Sequence, residues 1–253
     1  MNHIKDNLDK IKAQINLACQ QKILLTADSP LNNNKSLATS NDNATVKLLA
    51  VSKTKPSTDI KQAYLWGQRD FGENYLQEAL EKITELSDLS DICWHFIGPI
   101  QSNKTKQIAQ NFSWVHSVDR EKIALRLNQH LSDEGSNIAN DSEKKLNVCI
   151  QININNEQSK SGLNEAELFS LADIIHQCDR LTLRGIMAIP EKNAQVETYQ
   201  KMQNMYLSLK AKYATVDTLS LGMSDDLSIA IAHGSTMVRI GSAIFGARAK
   251  TVQ

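Results

Sequence analysis

Apolar residues follow two alternating patterns along most of the chain. Short apolar runs, typical of buried parallel strands, alternate with segments in which apolar residues recur every three or four positions, as on one face of a helix. The predicted strands are residues 47–53, 70–72, 93–97, 114–118, 146–154, 181–189, 216–221 and 237–240. This alternation predicts an α/β fold, and the number of strands favours a closed (β/α)8 TIM barrel over an open doubly wound sheet.

The turn after the first predicted strand also favours the barrel. An open sheet that binds a dinucleotide would carry a GxGxxG motif at this turn. Residues 52–56 read SKTKP and contain no glycine.

Three segments stand outside the alternating pattern. Apolar residues at positions 4, 8, 11 and 15 predict an extra amino-terminal helix over residues 1–20. Residues 27–46 are rich in Asn, Ser, Thr and Asp, which predicts a flexible linker. Residues 132–145 have the composition of a loop insertion. We therefore expect one domain over residues 1–253, with the barrel at 47–248.

Composition narrows the classes of function. The 28 basic residues balance 28 acidic ones, whereas a nucleic-acid-binding protein normally has a basic excess, so we expect no nucleic-acid partner. A polar amino terminus and the lack of a long apolar stretch predict a cytoplasmic protein without a membrane span. Cys19, Cys93, Cys149 and Cys178 form no CxxC pair, which argues against a metal site and favours free thiols.

Lys53 is the first candidate for chemistry. It follows an apolar strand and shares the parity of Leu49 and Val51, so its side chain can point into the barrel. Barrel active sites lie at the carboxyl ends of the strands, and a buried lysine of lowered pKa is suited to form a Schiff base. The alternative is a solvated loop lysine, like Lys55, and the spacing alone favours that alternative.

Small residues follow the last two predicted strands. Gly222, Met223 and Ser224 follow the seventh strand, and Gly241 and Ser242 follow the eighth. Barrels often bind phosphate with these two loops, because backbone N–H groups next to glycine can approach an anion closely. Two ordinary strand-to-helix turns are the alternative.

Two of the polar residues within predicted strands are further candidates for chemistry. Arg239 needs an acceptor if it faces the barrel interior, and this acceptor is either a carboxylate or the ring nitrogen of a cofactor. His95 is either a hydrogen-bonded core residue or a cofactor contact. The sequence leaves both choices open.

Long motifs then resemble one known family, the YggS/PROSC pyridoxal phosphate homeostasis proteins. The motifs are LLAVSKTKP (48–56), FGENYLQE (71–78), WHFIGPIQSNKTK (94–106), SKSGL (159–163), LRGIMAIP (183–190), LSLGMSDD (219–226) and GSTMVRIGSAIFGAR (234–248). They occur in order from the first strand onwards. The resemblance implies a fold-type III barrel that binds pyridoxal 5′-phosphate (PLP), as in the amino-terminal domain of alanine racemase.

The resemblance also implies roles for individual residues. Lys53 would hold PLP as a Schiff base, and Arg239 would face the pyridine nitrogen. An arginine there disfavours protonation of that nitrogen, which makes the ring a weaker electron sink. Asn74, in GENY, and His95, in WHFIGP, would line the pocket near Lys53.

The phosphate group would be held at the two glycine-containing loops. The resemblance assigns this role to Ser224, in GMSDD, together with Gly241 and Ser242, in RIGS. Gly222 and Met223 belong to the same GMSDD motif and complete the expected cofactor-binding set.

The family's function is expected to be intracellular PLP homeostasis without a dedicated reaction. A racemase of this fold takes its second base from a carboxyl-terminal β-domain, for which the sequence after the eighth strand shows no counterpart. We therefore expect a monomeric carrier, with PLP-dependent apo-enzymes as recipients. The alternatives are a PLP-dependent amino-acid racemase, with Tyr75 or His95 as the second base, and a cofactor-free aldolase that uses Lys53 on a sugar phosphate.

Overall fold

Eight parallel strands close into a barrel in which each strand pairs with the next in chain order and β1 pairs with β8. The computed structural model describes residues 3–27, 46–132, 145–155 and 161–247. The strands are β1 Lys47–Val51, β2 Asp70–Glu73, β3 Cys93–Phe96, β4 Trp114–Val118, β5 Leu146–Ile152, β6 Leu181–Ala188, β7 Thr218–Ser220 and β8 Met237–Ile240. The predicted (β/α)8 barrel is confirmed.

Helices surround the barrel and bury one apolar face each. They are α1 His3–Ala27, α2 Ser57–Leu65, α3 Leu76–Glu85, α4 Thr105–Asn111, α5 Glu121–Ser132, α6 Leu168–Gln177, α7 Val196–Lys212, α8 Leu227–Ala232 and α9 Ser242–Phe245. In α7, for example, Tyr199, Met202 and Met205 are buried at helical spacing and form ordinary core. Within the described part of the chain, no helix combines the length and the apolar content needed to cross a bilayer.

The sequence misplaced some element boundaries. β1 ends at Val51 rather than at residue 53, because the chain turns at Thr54, whose φ is 63°. The amino-terminal helix continues to Ala27, past the predicted end at residue 20, because residues 21–25 are mostly good helix formers even though they are not part of the apolar stripe. Residues 28–45 of the predicted linker and 133–144 of the predicted insertion lie outside the described residues.

Helix α1 packs against α2, α8 and α9, the helices that flank the junction of β1 and β8. Its apolar stripe, which includes Ile4, Leu8 and Ile11, is buried as the spacing predicted. The side-chain amide of Asn7 donates a hydrogen bond of 2.9 Å to the carbonyl of Ile244, in α9. Helix α1 therefore supports the part of the barrel that carries the loops after β1 and β8.

We expect Leu8→Ala to lower the free energy of unfolding by about 2–5 kcal/mol, because this side chain is fully buried and truncation leaves a cavity. Urea unfolding at neutral pH measures the loss. Leu17→Ala is the matched control, since Leu17 lies on the same helix but is 55% exposed, and it should change stability by only about 0.5 kcal/mol. Equal effects of the two substitutions would contradict the packing of α1.

Candidate functional site

A cavity of about 280 Å³ opens at the carboxyl ends of the strands. It is lined by Val51, Lys53, Lys55, Asn74, Ile97, Met187, Ile189, Met223, Ser224, Arg239, Gly241, Ser242 and Gly246. Most of the sequence-predicted site residues therefore meet here, from the ends of four different strands. A second cavity of about 250 Å³ adjoins it and shares Asn74, Ile97 and Ile189 with it.

Lys53 lies two residues beyond β1, on a turn with unusual backbone geometry. The next residue, Thr54, has a φ of 63°, which is strained for a β-branched side chain and persists only where neighbouring groups enforce it. Lys55 is held on the other side of the turn, because its Nζ donates a 2.8 Å hydrogen bond to the carbonyl of Ala247. The turn fixes where the Lys53 side chain enters the cavity.

A buried ion cluster holds this turn from behind. Lys82, in α3, donates hydrogen bonds of 2.8 Å to Glu73, 2.5 Å to Glu78 and 2.8 Å to the backbone carbonyl of Ser52. The hydroxyl of Ser52 donates to Glu73 at 2.6 Å, and the backbone N–H of Thr54 donates to Glu78 at 2.5 Å. Both residues that flank Lys53 are therefore bonded to the carboxylates that Lys82 neutralises. We call Glu73, Glu78 and Lys82 the turn clamp.

The turn clamp buries a carboxylate, which is unfavourable, and the positive charge of Lys82 offsets that unfavourable burial. Glu73 is fully buried, and burial raises its pKa above the ordinary value, although the Lys82 ammonium and the Ser52 hydroxyl oppose the rise. Its Oε2 is buried without a hydrogen-bond partner in the described part of the chain. Removal of the Lys82 charge would leave two carboxylates close together with no cation between them, which is strongly unfavourable inside a protein.

Arg239 lies in β8 and is 5% exposed. Its guanidinium donates to the carbonyl and the hydroxyl of Ser220 at 2.7 and 2.8 Å, and to the carbonyl of Ala188 at 2.8 Å. These acceptors are neutral, so the carboxylate partner that the sequence left open is not among its hydrogen-bonded partners in the described residues. Burial lowers the pKa of Arg239 to about 10, and the side chain stays charged at neutral pH.

The loop after β7 carries Met223 and Ser224 into the cavity wall, whereas Gly222 has a structural role. Gly222 has a φ of 99°, and a Cβ there would lie 2.7 Å from the Cβ of Ala230. Its carbonyl accepts the backbone N–H of Arg239 at 2.9 Å. Gly222 is not among the described residues that line the cavity, and its small size permits the turn that presents the two residues after it.

The carboxylate of Asp226, in this loop, forms hydrogen bonds with neighbouring protein groups. The carboxylate of Asp226 accepts the backbone N–H of Met223 at 2.6 Å and the hydroxyl of Tyr199 at 2.9 Å. On the neighbouring loop, the carbonyl of Gly241 accepts the N–H groups of residues 244 and 245 and so begins α9. The first N–H groups of a helix have no partner within it, so Ser242 stands where backbone donors are available to an anion.

Asn74 contributes an unsatisfied group to the cavity wall. Its Oδ1 is buried and has no hydrogen-bond partner among the described residues, and such an atom is costly unless a ligand or water supplies a donor. Gly98 allows the Asn74 backbone to approach closely, because a Cβ at this glycine would lie 2.1 Å from the Asn74 carbonyl oxygen. Asn74 Oδ1 therefore offers an acceptor at the cavity wall to a ligand or a water that donates a hydrogen bond.

The structure does not bring His95 to the cavity, so its expected role as a cofactor contact is not supported. The fully buried His95 side chain is directed towards the amino-terminal end of the barrel. Its Nε2 lies 3.0 Å from Asp70, the first residue of β2, and its ring stacks on Trp114, the first residue of β4. The sequence left open a hydrogen-bonded core residue or a cofactor contact, and the described partners of His95 are those of a core residue.

Comparison with known proteins identifies relatives of this chain. The sequence profile described as "Alanine racemase, N-terminal domain" matches residues 28–249. A protein of Pseudomonas aeruginosa named "Pyridoxal phosphate homeostasis protein" is 47% identical over 98% of this chain and 97% of its own length. A protein of Escherichia coli K12 with the same name is 51% identical over 80% of this chain and 86% of its own length.

Solved structures agree with these relatives. The structure of PipY from Synechococcus elongatus was determined with PLP bound. It is 30% identical to this chain, and the match covers 90% of this chain and 100% of PipY, with a TM-score of 0.70. Alanine racemase of Corynebacterium glutamicum shares the fold at 16% identity, with a TM-score of 0.59, over 82% of this chain and 57% of the racemase. The chain belongs to the family of pyridoxal phosphate homeostasis proteins, whose barrel is that of the alanine racemase amino-terminal domain.

Proposed function

We propose that this protein binds PLP covalently on Lys53 and serves intracellular PLP homeostasis by storing, delivering or regulating the cofactor. The observation that carries the proposal is the convergence of Lys53, Arg239 and the two phosphate-type loops on one cavity. The family membership supports it, since the curated relatives bear the name of that function and PipY was solved with PLP.

The residues present fit this cofactor. Lys53 supplies the amine for attachment, and Arg239 supplies a donor for the ring nitrogen. Ser224 and Ser242, with the backbone N–H groups beside Gly241, supply donors for a phosphate group. Met187, Met223, Ile97 and Ile189 supply apolar walls for the ring. A polar ligand at this wall can donate a hydrogen bond to Asn74 Oδ1, which has no partner among the described residues.

The environment of the ring nitrogen favours storage over catalysis. PLP, when bound, offers an aldehyde for attachment and a ring that can withdraw electrons, most strongly when its nitrogen is protonated. A guanidinium that remains charged at neutral pH does not readily give up a proton to that nitrogen. Arg239 therefore orients the ring and limits its electron-withdrawing power.

The groups that line the cavity also favour a carrier over a racemase. Racemisation needs acid and base groups on both faces of the substrate. Among the described lining residues, the side chains that titrate are Lys53, Lys55 and Arg239. Tyr75, which the sequence offered as a second base, is 51% exposed and does not line the cavity within the described residues. His95 faces the other end of the barrel.

The proposal includes a monomeric, cytoplasmic protein whose recipients are PLP-dependent apo-enzymes. The free state of all four cysteines supports a reducing compartment. Reactivation of an apo-enzyme by the PLP-loaded protein, compared with the same concentration of free PLP, tests delivery. Light scattering of the loaded protein tests the monomer.

We expect borohydride reduction of the PLP-loaded protein to leave a phosphopyridoxyl group on Lys53, as mapped by peptide mass spectrometry. Lys53→Ala should abolish the visible absorbance of the loaded protein, because the amine that binds the aldehyde is gone. Lys55→Ala is the matched control, since Lys55 lines the same cavity but is bonded to Ala247, and it should keep the adduct. No adduct on wild type would refute the proposal, and an adduct mapped to Lys55 would refute the site.

The turn clamp predicts a second effect on cofactor binding. Glu78→Gln removes the charge that holds the Thr54 N–H and Lys82, so we expect PLP affinity to fall several-fold, on the order of 1 kcal/mol. Titration followed by absorbance measures this loss. Glu81→Gln, on the exposed side of the same helix, should bind like wild type. Equal affinities of the two variants would mean that the clamp does not position Lys53.

The carrier proposal predicts little racemisation. The loaded protein, incubated with a panel of L-amino acids, should form D-enantiomer no faster than free PLP, because no His, Tyr, Cys or carboxylate side chain is present among the described lining residues. Chiral chromatography measures the product. Turnover that exceeds the free-PLP background and disappears in Lys53→Ala would instead favour the racemase.

A further inference from the structure

A continuous line of hydrogen bonds runs through the barrel interior from the site to the opposite rim. Arg239 Nη1 lies 2.8 Å from Ser220 Oγ, which lies 3.1 Å from His116 Nδ1. His116 Nε2 lies 2.9 Å from His95 Nδ1, and His95 Nε2 lies 3.0 Å from Asp70 Oδ1. The line joins β8, β7, β4, β3 and β2, and Ser220, His116 and His95 are fully buried.

When both imidazoles are neutral, the chemistry of the two ends fixes the direction of every bond. A guanidinium can only donate, and an ionised carboxylate can only accept. Ser220 Oγ therefore accepts from Arg239 and donates to His116 Nδ1. Each imidazole then accepts at Nδ1 and donates from Nε2, so both rings are neutral Nε2–H tautomers. This is the arrangement in which each hydrogen bond has one donor and one acceptor.

We propose that Ser220, His116, His95 and Asp70 form a directional relay that positions Arg239 and couples its charge to the amino-terminal rim of the barrel. The part of this inference that concerns the cofactor rests on the proposed function. In this relay the Asp70 carboxylate polarises the two imidazoles in turn, which strengthens Ser220 Oγ as an acceptor for Arg239. The four residues are positioning residues, because none of them lines the cavity within the described part of the chain.

The surroundings support neutral imidazoles and an ionised Asp70. Burial lowers the pKa of His95 and takes the pKa of His116 well below its ordinary value. Burial raises the pKa of Asp70, but the hydrogen bond from His95 and the hydrogen bond and charge of Lys47 outweigh that effect, so its pKa lies below the usual value. Lys47 Nζ lies 3.1 Å from Asp70 Oδ1 and is 46% exposed, so this end of the relay meets solvent.

Other charged or titratable groups of the described residues also lie near the relay. The charges that act on the two imidazoles are those of Asp70, Lys47 and Arg239. The neighbouring strands also carry Cys93, Cys149 and Arg184, the last paired with Asp217 and lying over the Trp114 ring. Asp70, Cys93 and His95 have potential ligand atoms within 4.8 Å. However, Lys47 repels a cation there and burial raises the pKa of the Cys93 thiol to about 11.

A reversed relay has a different tautomer and can be recognised. If His95 carried a second proton, it would donate from both nitrogens. His116 would then accept at Nε2 and donate from Nδ1 to Ser220, whose own hydrogen would lose His116 as its acceptor. The tautomer of His116 therefore reports the direction of the whole line.

The first experiment reads the tautomers directly and needs no cofactor. In wild-type protein with ¹⁵N-labelled histidine at neutral pH, the ring nitrogens of His95 and His116, assigned through their ring carbons, should both show a protonated Nε2 and an unprotonated Nδ1. An Nδ1–H tautomer on either ring, or a charged ring, would overturn the relay. This result does not depend on PLP binding.

The second experiment tests coupling to the site with a spectroscopic pH profile. Asp70→Asn replaces the charged carboxylate at the rim with a neutral amide, which is a weaker acceptor for His95, so Arg239 should become more electropositive towards the bound cofactor. We expect the midpoint of the pH-dependent visible absorbance of the loaded protein to move down by about half a pH unit, the scale of one hydrogen bond. Lys47→Met, which removes the rim ion pair but leaves the Asp70 carboxylate as the acceptor for His95, should leave the midpoint close to wild type.

The outcomes separate this inference from the proposed function. If wild type takes up no PLP, the proposed function fails and the nitrogen spectrum alone decides the relay. If wild type takes up PLP but Asp70→Asn titrates like wild type, the coupling is refuted while the proposed function stands. A shift of equal size in Lys47→Met would identify a general field effect of the rim charges and would also refute the relay.

Discussion

A charged guanidinium enclosed in a barrel is the constraint around which the interior of this protein is arranged. Arg239 keeps its charge at neutral pH, so it must find acceptors on the strands beside it. It uses Ser220 and Ala188, both on strands that end at the cavity. Because the Ser220 hydroxyl accepts from Arg239, its own hydrogen needs an acceptor deeper in the barrel. His116 supplies this acceptor, and His95 is its next partner. The polar interior is thus a consequence of one buried cation near the cavity.

A second buried charge organises the neighbouring edge of the cavity in the same way. Lys82 is 5% exposed and lies between two carboxylates that also hold the backbone on either side of Lys53. The strained backbone at Thr54 is maintained because these bonds leave the turn few alternatives. The two buried cations therefore have separate positions: Lys82 holds the turn that carries Lys53, and Arg239 lines the cavity from β8. Substitutions in one system should leave the other largely intact, because the described residues give them no shared side chain.

The sequence predicted the architecture well, because hydrophobic periodicity reports burial directly. The fourth and eighth strands were placed at their observed bounds, Trp114–Val118 and Met237–Ile240. The strand ends also located Lys53 and the two glycine loops correctly at the cavity. The relay and the turn clamp were missed. His116, a polar residue in the middle of an apolar strand, was an available signal, but its partner Ser220 lies 104 positions away, and periodicity contains no information on such pairings.

The position of His95 shows why a place within a predicted strand does not distinguish a ligand contact from an internal support. Parity decides whether a side chain enters the barrel, whereas the cavity occupies only the carboxyl end of that interior. Which end a ring faces depends on the partners available there, and Asp70 at the start of β2 offers His95 a charged acceptor that the cavity end does not. An ionised group at the solvent-exposed rim can therefore influence a ligand at the opposite end. The residues between them are polar and buried, and each hydrogen bond in the line polarises the next.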